Sequence, residues 1–450
     1  MKTIPQHTLN FIDSWLTLRS QWDDVPGFAV AIIKDGELIF DHAYGLADLE
    51  TKESLATDHM FRIASQSKSF TATAIMQLQE AGKLRIDDLA ATYLPWLSEH
   101  QDVRWREVTL RQLLSHGAGV IRDGLDSDYW ELRRDFPDVE SLKCTILEAD
   151  LVFEPNIQMK YSNYGYALLG SVIEVAAGIP YVDYIAEQIL NPLGLSAGVD
   201  YATKLPLATG YSRLTIKKER LAFPHVATGA MAAATGFCAT VKDVACFYDA
   251  LRPGTGKLLS DASKKEMQRA QWEVKGQHGA RYGLGLDITQ RRHRRLVGHS
   301  GGFPGFVSRT WSDPSDGLVV AVIANAHGTR PGVWANTIID LIDEFGDEAP
   351  RDELLKYEVR LGGMHGTGQV VAHPGGLRFL FVNSWNPLEQ METLEVVDDT
   401  TLKIIEASGF SSPGELIHYA FNDDGTVHHV IDSGHYREPT LDGDMLPTWR

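Results

Sequence analysis

Strand-like patterns sit at both ends of the first 345 residues and helical ones fill the middle, an order that few folds accommodate. Near the N-terminus, after an amphipathic helix, PGFAVAIIKDGELIFDHAYG (26–45) places two apolar runs around Asp35-Gly36, the strongest short signal for a β-hairpin. From about residue 60 to 250 the periodicity is helical, over Phe70–Ala81, Leu110–Leu114, Tyr164–Ala177, Tyr181–Gln188 and Val241–Leu251, with Gly and Pro as punctuation. Strand patterns return near 282 as YGLGLDI, RRLVGHSGG, FVSRTWSD and GLVVAVIAN, the last two turning at Asp316-Gly317. A closing helix, RPGVWANTIIDLIDEF, follows. The order predicts an α+β domain: one antiparallel sheet drawn from both chain ends, flanked by helices, with an inserted helical region.

Beyond residue 345 the texture changes. GDEAPRDE is acidic, holds a Pro and lacks apolar periodicity, so residues 346–354 read as a linker. Residues 355–450 carry short strands around turn signals and almost no helical pattern, as expected of a small antiparallel barrel. A chain of 450 residues exceeds one ordinary domain, which agrees with a first domain over 1–345 and a second over 355–450.

Charge and composition narrow the function. A formal charge of −18 argues against nucleic acid or an anionic membrane as the main partner. The basic run RRHRR (291–295) falls on an expected turn, where such runs are usually solvated. Cys144, Cys238 and Cys246 form no CxxC and leave an odd count, which suits small buried thiols in a reducing compartment. The histidines lack metal-ligand spacing, so neither a metal nor a cofactor is expected. The N-terminal stretch has no apolar core of a leader, no run nears a membrane span, and a cytoplasmic location is the expectation.

Three short stretches carry chemistry. In FRIASQSKSFTATAIMQLQEAGKL (61–84), Ser65 and Lys68 stand at i and i+3 on one helical face. A serine hydroxyl needs a base to become a nucleophile, and a lysine serves if burial lowers its pKa. A serine in a first helical turn also lies beside free backbone N–H groups able to hold an oxyanion. The plain alternative is an N-cap serine and a solvated lysine. Ser67 and Ser69 have no lysine at i+3 and are expected to pack or face solvent.

In MKYSNYGYALLG, Tyr161 and Asn163 flank Ser162 before an apolar helix. Tyr161 offers a phenol for proton transfer, and Asn163 an amide to hold a substrate carbonyl or the lysine; a helix cap with a packing Tyr is the alternative. In LVGHSGGFPGF, His299, Ser300, Gly301 and Gly302 end a strand pattern. Paired glycines let a substrate backbone approach a strand edge, though alone they mark only a Gly turn.

In this order, Ser65-Gln66-Ser67-Lys68, Tyr161-Ser162-Asn163 and His299-Ser300-Gly301 resemble the three motifs of the serine β-lactamase and penicillin-binding-protein family. Their surroundings, including TLRQLLSHGAGV and ATGFCATVKDVACFY, are similar to the class C-like branch of D-aminopeptidases, alkaline D-peptidases and carboxylesterases, over roughly residues 8–345. The resemblance implies a β-lactamase/transpeptidase-like fold and an acyl-enzyme mechanism without metal or cofactor. Ser65 is then the nucleophile, Lys68 its base and Tyr161 the proton shuttle. Asn163, His299, Gly301 and Gly302 would bind substrate, with the backbone N–H groups of Ser65 and Gly302 as the oxyanion hole. The segment 355–450 resembles the small lipocalin-like barrel of some D-peptidase-like members.

One position departs from the pattern. His299 stands where efficient β-lactamases usually carry a lysine, and a neutral imidazole is the weaker anion anchor. Arg309 substitutes only if it points inward, and on an edge strand it would point to solvent. The reading is therefore an amidase or peptidase on small amides or peptides, D-configured ones included. A carboxylesterase or weak β-lactamase is the alternative, and a ligand- or penicillin-binding sensor the non-enzyme one. A homo-oligomer stays open.

Overall fold

The computed structural model describes residues 3–200, 205–363, 366–408 and 411–440. By packing, the chain forms two units: Val25–Gly332, and the first 24 residues together with the chain from Val333 on.

The first unit is organised by a nine-stranded antiparallel sheet drawn from both ends of its sequence. In spatial order its strands are Glu53–Ser54, Glu37–Asp48, Gly27–Lys34, Leu318–Ala324, Phe306–Asp313, Arg294–Phe303, Asp287–Arg291, Arg281–Tyr282 and Trp272–Glu273. The hairpin expected at Asp35-Gly36 forms, both residues having positive φ (51° and 86°), as a two-residue turn between twisted strands requires. Gly27–Lys34 pairs with Leu318–Ala324 from Phe28↔Ala324 to Lys34↔Leu318. These strands are buried nearly end to end, which explains their unbroken Val, Ile and Ala content.

Helices at Ser67–Glu80, Leu110–Leu114, Asn163–Ala177, Tyr181–Ile185 and Val241–Ala250 fill the middle, within a few residues of the expected spans. Ser67–Glu80 is the core helix, buried around most of its circumference, polar Ser67, Lys68, Ser69, Thr71 and Thr73 included. A small sheet of Phe61–Arg62, Phe237–Ala239 and Gly198–Val199 stands before it.

Several local expectations change. YGLGLDI is not one strand. The chain leaves the sheet between Tyr282 and Asp287, and Gly285 (φ 71°) lies so close to the core helix that a Cβ there would sit 2.6 Å from the Ala72 Cβ. Within RRHRR, Arg292, His293 and Arg295 are exposed, but Arg294 is buried and paired with Asp313 (2.8 Å) and Asp316 (2.6 Å). Ser67 and Ser69 are buried, neither facing solvent. Of the cysteines, Cys144 is exposed and Cys238 buried.

In the second unit, helices Gln6–Trp22 and Pro331–Phe345 accompany eight antiparallel strands in sequential order, from Val359–Gly363 to His435–Arg437. Phe11 stacks on Phe345 at 5.3 Å, and Arg19 donates to the Asn383 carbonyl at 2.8 Å. The sheet nearly closes into a barrel: Leu361 bridges to Pro439, and the Thr440 N–H donates to the Arg360 carbonyl at 2.9 Å. Alternation sets its inside, with Leu402, Ile404, Ile417, Tyr419 and Val430 in the core while Lys403, Ile405 and His418 face out. Leu354, from the acidic stretch expected as a linker, is buried in that core.

Candidate active site

Ser65 sits on a strained turn. After the strand Phe61–Arg62, Ala64 takes a left-handed φ of 53° and a 3₁₀ turn over Ala64–Gln66 leads into the helix from Ser67. Such a conformation costs a non-glycine residue about 1–3 kcal/mol. Neighbours hold it: the Ser67 hydroxyl donates to the Ala64 carbonyl at 2.6 Å, and the Gln66 amide donates to the Ser308 hydroxyl at 2.7 Å. Ser65 thus precedes the helix, one turn from Lys68.

Lys68 is fully buried. Its Nζ lies 2.6 Å from Asn163 Oδ1, 2.9 Å from the Ala234 carbonyl and 3.2 Å from Ser65 Oγ. Burial drives its pKa well below the lysine range; Asp123 and Asp287 oppose that and Arg122 reinforces it. A neutral amine has two hydrogens and one lone pair. Two of its neighbours are carbonyl oxygens that only accept, so both hydrogens go to them. In that neutral form the lone pair is left for the Ser65 hydroxyl.

Tyr161 and Asn163 straddle the cap of the helix Asn163–Ala177. Ser162 is that cap, its hydroxyl accepting the Gly165 N–H at 2.9 Å. The cap is thus Ser162 itself, with Tyr161 and Asn163 on either side of it. Burial raises the Tyr161 pKa, the nearby Ser65 hydroxyl opposing it, and the phenol stays protonated. The Asn163 amide donates through Nδ2 to Asp123 Oδ1 at 2.7 Å. His116, at a left-handed φ of 62°, accepts the Ser162 N–H on Nδ1 at 3.1 Å and packs its ring on Tyr161.

The third stretch lies on the strand Arg294–Phe303. Its neighbour Asp287–Arg291 pairs only as far as Asp287↔Gly298, so from His299 to Phe303 one strand edge is open. His299 Nδ1 faces the Ser300 carbonyl at 2.6 Å, and a carbonyl only accepts, so the ring proton is on Nδ1. Nε2 then accepts from Tyr282 at 3.1 Å, and burial lowers the imidazole pKa. His299 is a neutral, buried ring.

The two glycines differ. A Cβ on Gly301 would lie 2.2 Å from the Ile63 carbonyl oxygen, so this glycine lets the strand press on the turn that carries Ser65. A Cβ on Gly302 would meet nothing within 4 Å. Only Gly302 has the open approach expected of the pair.

Arg309 is on an interior strand rather than an edge, paired on both sides. It donates to Asp287 at 2.6 Å and lies 4.2 Å over the Trp311 ring. Burial pushes the Asp287 carboxyl up, but His299, Arg309 and the Ser300 amide outweigh it and hold it low.

A cleft of about 680 Å³ opens on these groups. Ser65, Tyr161, His299, Gly302 and Arg309 line it, with Arg122, Arg281 and Trp311; among the described residues Asp287 is the one acidic residue of the lining. Lys68, Asn163 and Gly301 stand behind the wall. Among the described residues no His, Cys, Asp or Glu side chains group as metal ligands. The sequence reading missed Asp123, His116, Tyr282 and Asp287. His116 lies in the quoted LLSHGAG segment, but its grip on residue 161 is visible only in space.

The chain matches the family described as Beta-lactamase over residues 16–343. It is 25 % identical to a D-aminopeptidase of Brucella anthropi over 99 % of this chain and 82 % of that one. A second D-aminopeptidase of that species is 27 % identical over 67 % of this chain, which spans only 56 % of the relative's length. The octameric penicillin-binding protein homologue from Pyrococcus abyssi superposes with a TM-score of 0.67, at 24 % identity, over 95 % of this chain and 99 % of that one. A D-stereospecific amidohydrolase from Streptomyces does so with a TM-score of 0.62, at 26 % identity, over 72 % and 95 %.

Proposed function

This chain belongs to the β-lactamase family and is a serine hydrolase, and from that premise we propose an amidase or peptidase that works through an acyl-enzyme on Ser65. Lys68 takes the Ser65 proton on its lone pair as Oγ attacks the substrate carbonyl. The backbone N–H groups of Ser65 and Gly302 receive the oxyanion. The protonated Tyr161 delivers its proton to the leaving nitrogen and takes one back from the Lys68 ammonium; water then attacks the ester, and its proton goes to the departing Ser65 oxygen through the same pair, regenerating the serine. The observation that carries this reading is the Lys68 amine 3.2 Å from Ser65 Oγ with its other contacts committed to carbonyl oxygens.

The relatives named as D-aminopeptidases and a D-stereospecific amidohydrolase favour small D-configured amides or peptides. The cleft adds a condition. Among the described residues its one acidic lining residue, Asp287, is already bound to Arg309, so none of them offers an unpaired carboxylate to a free α-ammonium there. N-blocked amides and substrates bearing a carboxylate for Arg309 fit better than aminoacyl amides. The octameric relative supports a homo-oligomer, which sedimentation would test.

The decisive experiment is a turnover panel of paired L- and D-aminoacyl amides, their N-acetyl forms, short-chain esters and nitrocefin, with intact-mass detection of the Ser65 adduct. Ser65→Ala should lose all turnover and all adduct. Retained esterolysis in that variant would mean another nucleophile. Faster turnover of short-chain esters than of every amide would favour the carboxylesterase.

A further inference from the structure

Resting on the roles of Ser65 and Lys68 above, we propose that Asp123 is a positioning residue that fixes which end of the Asn163 amide meets Lys68, and so keeps the lysine lone pair on Ser65. An amide has a donor end and an acceptor end of nearly equal size, and only its hydrogen bonds decide which way it faces. Asp123 Oδ1 lies 2.7 Å from Asn163 Nδ2, and a carboxylate only accepts, so the NH₂ end must turn toward it. The oxygen end is thereby left for Lys68 at 2.6 Å.

With the amide turned over, its NH₂ would face Nζ, and a neutral amine receives an N–H on its one lone pair. Ser65 would then meet an amine hydrogen, and no base would remain for its proton. The polarity of one bond behind the wall therefore decides whether Lys68 is a base.

Asp123 is itself held. The same Oδ1 accepts the Trp130 indole N–H at 2.9 Å, and Oδ2 accepts Arg122 Nε at 3.0 Å. The carboxylate is 14 % exposed and does not line the cleft. It acts on the chemistry only through Asn163, and on the charge of Lys68 through space. The other charged and titratable groups facing Lys68 are Arg122, Asp287, His116, His299, Tyr161 and Tyr166. Of these only Arg122 loses a bond on substitution at 123, the one from its Nε to Oδ2, and its charge stays.

Two substitutions separate the functions. Asp123→Asn keeps an oxygen where Trp130 and Asn163 both donate, so the Asn163 amide stays oriented while the negative charge is lost. Asp123→Ala removes the acceptor. On the best N-acetyl amide, Asp123→Ala should lower kcat by about 10- to 100-fold, the scale of loss when a reacting group is misplaced. Asp123→Asn should keep kcat within a few-fold while the acid limb of its pH profile moves to lower pH, because a carboxylate that favoured the ammonium form is gone. In an Asn163→Ala background, Asp123→Ala should have no further effect on kcat.

Equal losses in the Ala and Asn variants, an unmoved acid limb in Asp123→Asn, or a full Asp123→Ala effect without Asn163 would overturn the proposal. If Asp123→Ala does not fold, Asp123→Ser takes its place, since its shorter side chain withdraws the acceptor from Asn163 Nδ2 and the same loss in kcat is expected. An active Ser65→Ala would instead remove the underlying assignment, so the two failures are distinct.

Discussion

One residue grips Tyr161 from both sides: the His116 imidazole accepts the N–H of Ser162 while the His116 carbonyl accepts that of Lys160, at 3.1 and 2.8 Å. The ring between these bonds lies 4.2 Å from that of Tyr161, centroid to centroid. The phenol thus owes its place beside Ser65 to a residue far from it in sequence. His116→Asn should preserve much of this, since Asn tolerates positive φ and its oxygen can accept the Ser162 N–H. His116→Leu strands a buried N–H, at about 1–3 kcal/mol, and strains the backbone. Thermal melts with kcat should show Leu well below Asn in both.

Lys68 burdens stability. Its folded pKa is depressed, so between that value and the ordinary lysine range the unfolded chain binds the extra proton. Across that window the contribution of Lys68 to stability rises with pH. Lys68→Met abolishes turnover and removes this dependence. The stability of the variant minus that of wild type should therefore fall as pH rises toward the ordinary lysine range in urea melts; a flat difference would mean that the buried amine stays charged.

The two glycines should separate packing from access. Gly301→Ala drives a methyl into the Ile63 carbonyl and should cost several °C in Tm together with most activity. Gly302→Ala adds a methyl to open space and should fold normally, with its loss confined to bulky substrates and read as a rise in KM.

Arg309→Met tests the anion anchor. For a substrate bearing a carboxylate, kcat/KM should fall about tenfold or more, given about 1.5–3 kcal/mol for a hydrogen bond to a charged group. The matching carboxamide should be nearly unaffected. Equal losses would place Arg309 in support of Asp287 alone.

Much of this was legible in the sequence because it was local. Asp35-Gly36 announces its hairpin through the φ values it tolerates, and Ser65 with Lys68 share a face by helical spacing. Ser162 shows its cap through the residue that follows. What stayed hidden depends on contacts distant in sequence. Asp123 and His116 are an ordinary aspartate and histidine until the fold sets one against Asn163 and the other around Tyr161. Arg309 was misplaced because an alternating strand does not reveal whether it lies at an edge. YGLGLDI read as a strand because apolar alternation is the same whether glycines pack on a neighbour or continue a ladder.

The pairing of Phe28 with Ala324 has a consequence for how the protein matures. The strand Gly27–Lys34 leaves the ribosome early, yet its partner emerges only after most of the unit has been made, and closing so long a loop is slow. The nascent chain must hold an apolar strand edge unsatisfied for most of synthesis. Hydrolytic competence then arrives late, when the strand bearing Gly302 docks on the turn of Ser65, so a chain truncated before that strand should be inert and adhesive rather than partly active.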